Sequence, residues 1–595
     1  MGTAVATTRG RLASLRMALS DRVALTALAV IVAALIAATW RAWGDIGSDT
    51  GYDMVAGARI ANGDVPYADF TYYYGPLGPY LAGLFAVIGG DGLTPQLVLG
   101  LLLAVGTVFA TYAVARTGTG PLGSLLAAAI VAPVALGANN FSYAVPHSYS
   151  APLAVLCALG FLWGAARYAA TGRGLHLAAA GVAAGLTALT RPEFEVAVIG
   201  AAALWLALRW RTGLGGPREI LRFAAPAIGI PVVVYGAFLT QVSFHRLVYE
   251  NLYPTDALRA GGNAVLRIAA PLTAGSFGEL ALRLILYAVG AAALVALAMA
   301  PRRAARLRRP GLIVAAIAGV LVVAGSLARP EALRHALQFA YGWIPAGAAI
   351  AAIALVWVRV RRRGDSWSPN AQSQLALAVL LAVLAAKTYA AFFIHATHAQ
   401  AAVYALPFAA VFITWLHLER LAPLRTGYVL GALWIAFLAV AGIGLGVKDA
   451  SAKSAMVHGP GGALAAKPSE AAVYNAAIQQ ILAHSRPGEP VLLAPQLTSL
   501  YTLSGRTDPV PQLSLLPNAL PSAGDQRAVV SDLDAAGVRL AVIDRHRFPE
   551  YGHTYFGGSF DRILAQWIRT NFVHLSTLGG GIDAPTLDVW IRRAA

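Results

Sequence analysis

Five aspartates crowd one short stretch of the chain, residues 45–80: Asp45, Asp49, Asp53, Asp64 and Asp69, with Asp91 just beyond and no glutamate among them. Between them lie a tyrosine run, Tyr72, Tyr73 and Tyr74, and the turn-forming pairs Gly75-Pro76 and Gly78-Pro79. The stretch follows a first apolar segment at 23–40, so its carboxylates lie against a bilayer face, where charge without a task is costly. Transfer of a sugar to a hydroxyl needs a general base beside the attacking oxygen. A carboxylate held in a partly desolvated pocket by a short membrane-bound loop suits that role, with Asp49, Asp45 and Asp53 as candidates. Asp64 sits in a Gly-Asp turn and reads as a turn or cap residue. The plain alternative for the whole group is a solvated acidic loop.

Such a transfer also needs cations where a departing lipid phosphate meets the interface, and arginine grips phosphate oxygens well. Basic residues stand at the expected outer ends of apolar segments: Arg191, in Thr190-Arg191-Pro192-Glu193-Phe194-Glu195, then His245 and Arg246, Arg329, Arg334 and His335, and Lys387. Arg191, Lys387, Arg334 and His335 are the candidates for a donor phosphate. Lys387 lies inside an apolar run and needs a partner or a task. The competing reading is snorkelling to headgroups, or pairing of Arg191 with Glu193 or Glu195. His395 and His398 have helical spacing for a metal pair, but no carboxylate or cysteine is near in sequence, so no metal site is assigned. They join His147, Tyr73 and Tyr74 as candidate substrate contacts. The chemistry requires no cofactor, although it leaves room for a divalent cation.

The elements that must position these residues are membrane helices. Hydrophobic residues make up 58% of the 595 and charged residues only 12%, against about 25% charged in soluble domains. The net charge of +17 does not indicate nucleic acid, because no aromatic-interleaved basic patch accompanies it. Many of the arginines fall in short loops between alternate apolar runs: Arg116; Arg167 and Arg173; Arg209, Arg211, Arg218 and Arg222; Arg302 to Arg309; Arg359 to Arg363; Arg420 and Arg425. That asymmetry places these loops and the N-terminus in the cytoplasm. Apolar runs at 94–115, 120–138, 150–166, 175–190, 194–208, 223–242, 279–300, 311–328, 339–358, 373–391, 401–418 and 427–446 join the retained first helix to give about 13 expected spans. The apolar segment 76–90 is short and starts with prolines, so it reads as interfacial or re-entrant within a first external loop at 41–93. Cys157 is the only cysteine, which excludes an intrachain disulfide.

After residue 446 the composition becomes soluble. A Gly/Pro/Lys stretch within 447–469 reads as a linker, and 470–595 as a small α/β domain on the extracytoplasmic side. Its expected strands are 491–494, 540–544 and 587–591, with helices near 470–484, 525–536 and 560–570. No phosphate-cradling glycine loop and no nucleophile elbow occurs there. Its polar loops, 504–509 and 544–547, read as acceptor contacts or a structural lid.

The run Asp49-Thr50-Gly51-Tyr52-Asp53, followed by Gly63-Asp64-Val65-Pro66-Tyr67-Ala68-Asp69-Phe70 and Gly75-Pro76-Leu77-Gly78-Pro79-Tyr80, resembles the first external loop of the glycosyltransferase C superfamily. The branch it is most similar to holds bacterial protein O-mannosyltransferases and lipid A aminoarabinose transferases. The resemblance implies a multi-helix membrane fold, a polyprenyl-phosphate sugar as donor, a catalytic carboxylate at Asp49 and inversion at the anomeric carbon. It also implies a multi-pass protein of the bacterial inner membrane. The chain departs from the pattern in two places. Tyr74 and Gly75 precede Pro76 where many relatives carry a charged pair, and His147 holds the slot of a second acidic residue. The expectation is therefore a membrane glycosyltransferase acting on a lipid, polysaccharide or protein acceptor among membrane lipids, without nucleic acid. Its rivals are a polytopic lipid or solute transporter and a non-catalytic envelope assembly protein on the same fold.

Overall fold

The computed structural model describes residues 20–138, 142–145, 148–252, 345, 347–358, 368–392, 399–421, 425–548, 555–581 and 583–593. The described chain is mostly helical. Four described helices are long and apolar enough to cross a membrane: Asp21–Thr39, Leu93–Ala115, Ser150–Thr171 and Pro217–Phe238. The expectation of about 13 spans meets a more varied picture. The runs at 279–300 and 311–328 lie outside the described residues. Those at 120–138 and 175–190 form Pro121–Ala135 and Gly174–Thr187, of 15 and 14 residues. At 1.5 Å per residue these reach only about 20 Å, short of a ~30 Å hydrocarbon core.

The helices run in alternating directions, and this sorts the charges. Leu93–Ala115, Ser150–Thr171 and Pro192–Arg211 all finish at arginine-bearing turns, near Arg116, Arg173 and Arg211. Asp21 starts the first helix at that same end and pairs with Arg116 at 2.7 Å, while Ser20 caps the helix through Val23 N–H. Trp415 Nε1 donates to Ala115 O there. The opposite end carries the aspartate loop. Small side chains fill the interior: Ala127, Ala128, Ala129 and Ala132 of Pro121–Ala135 are fully buried, which lets neighbouring helices approach closely. Pro217–Phe238 is the outlier, burying only Phe223 and Phe238.

Beyond the bundle, a four-stranded sheet has the order β3-β4-β6-β5, formed by Leu492–Ala494 (β3), Leu540–Asp544 (β4), Phe572–Gly579 (β5) and Thr586–Arg592 (β6). β3 and β4 are parallel and the other pairs antiparallel. All five residues of β4 are buried. Leu492, Ala494, Ala541 and Ile543 pack with Phe548 and Trp567 on one face, while Leu493, Leu540 and Val542 join the hydrophobic core that continues into the helical bundle. Because both faces are covered, these strands read as unbroken apolar runs.

The stretch expected to be a linker at 447–469 is folded, which corrects that reading. The helix Arg425–Ala452 runs through its start, and a hairpin of β1 (Ala455–Gly459) and β2 (Gly462–Ala466) follows. Its Gly-Pro-Gly-Gly corner is hairpin chemistry as much as linker composition. The hairpin is anchored to the bundle: Leu93 N–H donates to Gly461 O at 2.7 Å and Ala465 N–H to Arg41 O at 2.9 Å.

Candidate functional site

The aspartate loop is built from a tight turn, a short helix and an extended return segment. Asp45 N–H donates to Thr50 Oγ1 at 2.7 Å and Asp45 Oδ1 accepts from Gly47 N–H at 3.1 Å, an Asx-type closure that holds the turn. Asp49–Gly51 forms a single 3-10 turn that feeds the helix Tyr52–Ala61. The side chain of Asp49 lies outside the described ones. Beside this turn the Lys453 ammonium donates to Ala42 O at 2.9 Å and also to Gly44 O. Burial pulls this ammonium below its usual range, against the charge of Asp45.

Both flanks of the loop are clamped by close backbone approach. A Cβ at Gly51 would stand 2.1 Å from Ser499 N, so the helix Thr498–Ser504 rests directly on the motif turn. Ser499 Oγ donates to Ile46 O at 2.6 Å. A Cβ at Gly75 would meet Leu189 O at 2.3 Å, and Gly75 N–H donates to Thr190 O at 2.6 Å. The departure from family pattern at Tyr74-Gly75 thus has a steric role, because only glycine allows the loop to seat against 189–190.

Two candidates end in very different surroundings. Asp53 is buried, and its carboxylate accepts from Tyr72 O–H at 2.7 Å, Ser148 Oγ at 3.2 Å and Tyr149 N–H at 2.5 Å. A carboxylate with three donors, beside the N-terminus of Ser150–Thr171, is fixed in place as a hydrogen-bond acceptor. Its lone pairs are engaged and its exposure is 3%, which weighs against it as the base. Arg191 is also buried, yet its guanidinium has one ion pair, to Glu193 Oε1 at 3.4 Å, and its Nε has no hydrogen-bond partner among the described residues. The guanidinium lies over the Tyr74 ring at 4.2 Å and near that of Tyr404 at 5.9 Å. Contacts of this kind contribute about 0.5–2 kcal/mol and leave the buried Nε–H without a hydrogen-bond partner among the described residues.

A ladder of rings joins the motif turn to this cation. Tyr52 stacks on Tyr72 at 5.6 Å, Tyr72 meets Tyr74 edge-on at 5.8 Å, and Tyr74 lies beneath Arg191. Tyr73 is half-buried beside them. The return segment is held from the side by the helix Phe244–Leu252. There Glu250 accepts from Tyr72 N–H at 3.2 Å and pairs with Arg246 at 2.8 Å, and burial pushes its carboxyl up. Sequence reasoning missed Glu250 and Tyr404. Both lie in segments with no motif around them, and only the fold brings them to the loop.

Of the remaining candidates, Arg334, His335, His147, His395 and His398 lie outside the described residues. Lys387 belongs to the helix Pro369–Phe392, with its side chain outside the described ones. Among the described residues no group of three or more His, Cys, Asp or Glu could hold a metal ion.

No family model matches the chain, and no curated protein matches it. Solved structures similar to it include the oligosaccharyltransferase of Archaeoglobus fulgidus in its apo form, at 13% identity and a TM-score of 0.46, covering 96% of this chain and 76% of that one. Another is ArnT from Cupriavidus metallidurans bound to undecaprenyl phosphate, at 14% identity and a TM-score of 0.45, covering 95% and 97%. A third is the archaeal AglB in complex with an inhibitory peptide and a dolichol-phosphate, at 13% identity and a TM-score of 0.45, covering 93% and 73%. These are proteins of the superfamily whose loop the Asp49 motif resembles. At such identities and scores the similarity carries no activity over to this chain.

Proposed function

We propose that the chain is a membrane glycosyltransferase that moves a sugar from a polyprenyl-phosphate donor to an acceptor hydroxyl. The observation that carries this reading is the pairing of a rigidly clamped aspartate turn with a buried, under-satisfied arginine at the far end of the tyrosine ladder. In this scheme Arg191 takes the donor phosphate on its open N–H edges, exchanging part of its contact with Glu193 for phosphate oxygens. Asp49, with Asp45 on the same turn as its rival, accepts the acceptor proton as that oxygen attacks the anomeric carbon. Attack opposite the phosphate inverts the configuration. Lys387, Arg334 and His335 are further candidates for the phosphate, and His147, Tyr73, Tyr74, His395 and His398 for substrate contact.

The arginine-bearing ends of the helices face the cytoplasm in this reading, by the positive-inside asymmetry. The aspartate loop and the β-sheet region then face outward, where lipid-linked donors replace nucleotide sugars. The protein would reside in the bacterial inner membrane and pass through it many times.

The test is turnover by purified protein in detergent with a panel of radiolabelled polyprenyl-phosphate sugars, with and without crude envelope acceptor. Donor consumption that is lost in Asp49→Asn supports the transferase and places its base on the motif turn. Turnover that survives Asp49→Asn but not Asp45→Asn moves the base to Asp45. No consumption of any donor by the wild type overturns the reading in favour of transport or assembly.

A further inference from the structure

Arg59 and Asp508 meet at the seam between the aspartate loop and the β-sheet region. The peptide groups of Val510 are held from both sides: its N–H donates to Asp508 Oδ1 at 3.0 Å, and its carbonyl accepts from Arg59 Nη1 at 3.1 Å. The next carbonyl, Pro511 O, accepts from Thr71 N–H at 2.8 Å. Segment 508–511 is therefore the part of the sheet region that grips the middle of the aspartate loop. Arg59 also donates to Asp64 Oδ2 at 2.6 Å and Asp69 O at 3.2 Å, so its charge already has a carboxylate partner.

The second oxygen of Asp508 does not. Asp508 Oδ2 is buried with no hydrogen-bond partner among the described residues. The neighbouring Tyr501 hydroxyl donates its proton to Val491 O at 3.1 Å and accepts from Leu493 N–H at 3.0 Å. Arg506, two residues back, is turned away onto Ser485 and the Ser504 carbonyl. The charged and titratable groups facing Asp508 are thus Arg59, with Asp64 behind it, and Tyr501. A buried carboxylate oxygen without a donor is stable when the group is neutral, and calls in water or opens its surroundings when the group ionises.

We propose that Asp508 is a proton-operated clasp: with its carboxyl neutral, segment 508–511 closes on Arg59 and Thr71, and with it ionised, the segment opens and frees the aspartate loop. Burial pushes the carboxyl up to about 7, against the pull of the Val510 N–H and Arg59. A closed-state value raised above the ~3.9 of a free aspartate fixes the sign. Closure is fully favoured below about pH 4, weakens as pH rises towards about 7, and is level above that.

The experiment is amide hydrogen exchange on the full chain in detergent, from about pH 5 to about pH 9 and corrected for intrinsic rates, following peptides that span 59–75 and 505–513. Protection of both peptides is expected to fall together by at least about tenfold across that range. In Asp508→Asn, a neutral isostere, protection should stay at its acid level throughout. In Arg59→Gln the midpoint should move to higher pH, because the cation opposing protonation is gone. A wild-type profile flat with pH overturns the clasp, as does an equal fall in Asp508→Asn. Should that variant fail to fold, a midpoint unmoved or lowered in Arg59→Gln overturns it independently.

Discussion

Asp53 and Arg191 are both buried charged residues on the same end of the bundle, and they share neighbours in the segment 72–74. Asp53 has three donors on its two oxygens. Among the described residues Arg191 has one ion pair, at the long end of the range, and an Nε without a partner. A charge whose hydrogen-bonding capacity is filled by its own protein stabilises the fold. One left partly unfilled destabilises it slightly and remains open to an incoming ligand. The contrast leads us to expect a structural task for the first, a candidate base in the sequence, and a ligand-binding one for the second, a candidate phosphate contact.

The contrast can be broken by substitution, and the largest effect lies on the turn beside it. Asp49→Asn is expected to lower kcat by about 10²–10⁴-fold, the usual reach of a positioned general base, with the melting temperature unchanged. Asp53→Asn is expected to do the reverse. An amide must turn a donor or a poorer acceptor towards Tyr149 N–H and Ser148, which costs about 3 kcal/mol of stability. Thermal unfolding should register that loss while kcat of the folded fraction stays near wild type. A variant that melts normally but does not turn over would return Asp53 to the list of bases.

Arg191→Gln comes next, at about 2 kcal/mol, or close to thirtyfold in kcat/KM for the donor. The melting temperature should hold or rise, because a buried, half-paired charge has been removed. A drop in melting temperature with unchanged donor kinetics would make Arg191 a structural residue like Asp53. A last effect, on stability alone, is expected from Gly51→Ala. Its new methyl meets the Ser499 backbone and forces the motif turn and the helix Thr498–Ser504 apart, at about 1–3 kcal/mol. Exchange protection of both segments should fall together, and independent behaviour would mean they do not share one clamp.

Much of this molecule was legible in the sequence. The apolar segments and the strands around 492–494 and 540–544 follow from local periodicity. The pairing of Arg191 with Glu193, at 3.4 Å, was one of two the sequence offered, Glu195 being the other. The hairpin at 455–466 was not legible, because Gly-Pro-Gly-Gly has the same composition in a free linker and a tight turn. Only contact with Leu93 and Arg41 separates the two. Nor could the sequence rank its loop aspartates, since the groups that engage Asp53 arrive from 95 and 96 residues further along.

By itself the sequence determined that this chain is a membrane protein with an acidic, tyrosine-rich loop at one end of its helices, because hydrophobic burial and charge placement are properties of local composition. The tertiary structure decided which charges are satisfied. Glycine-sized gaps at Gly51 and Gly75 set how closely the loop seats, and distant donors fill Asp53 while leaving Arg191 and Asp508 wanting. Hydrogen-bond satisfaction depends on partners brought together across the whole chain, so no local pattern can encode it.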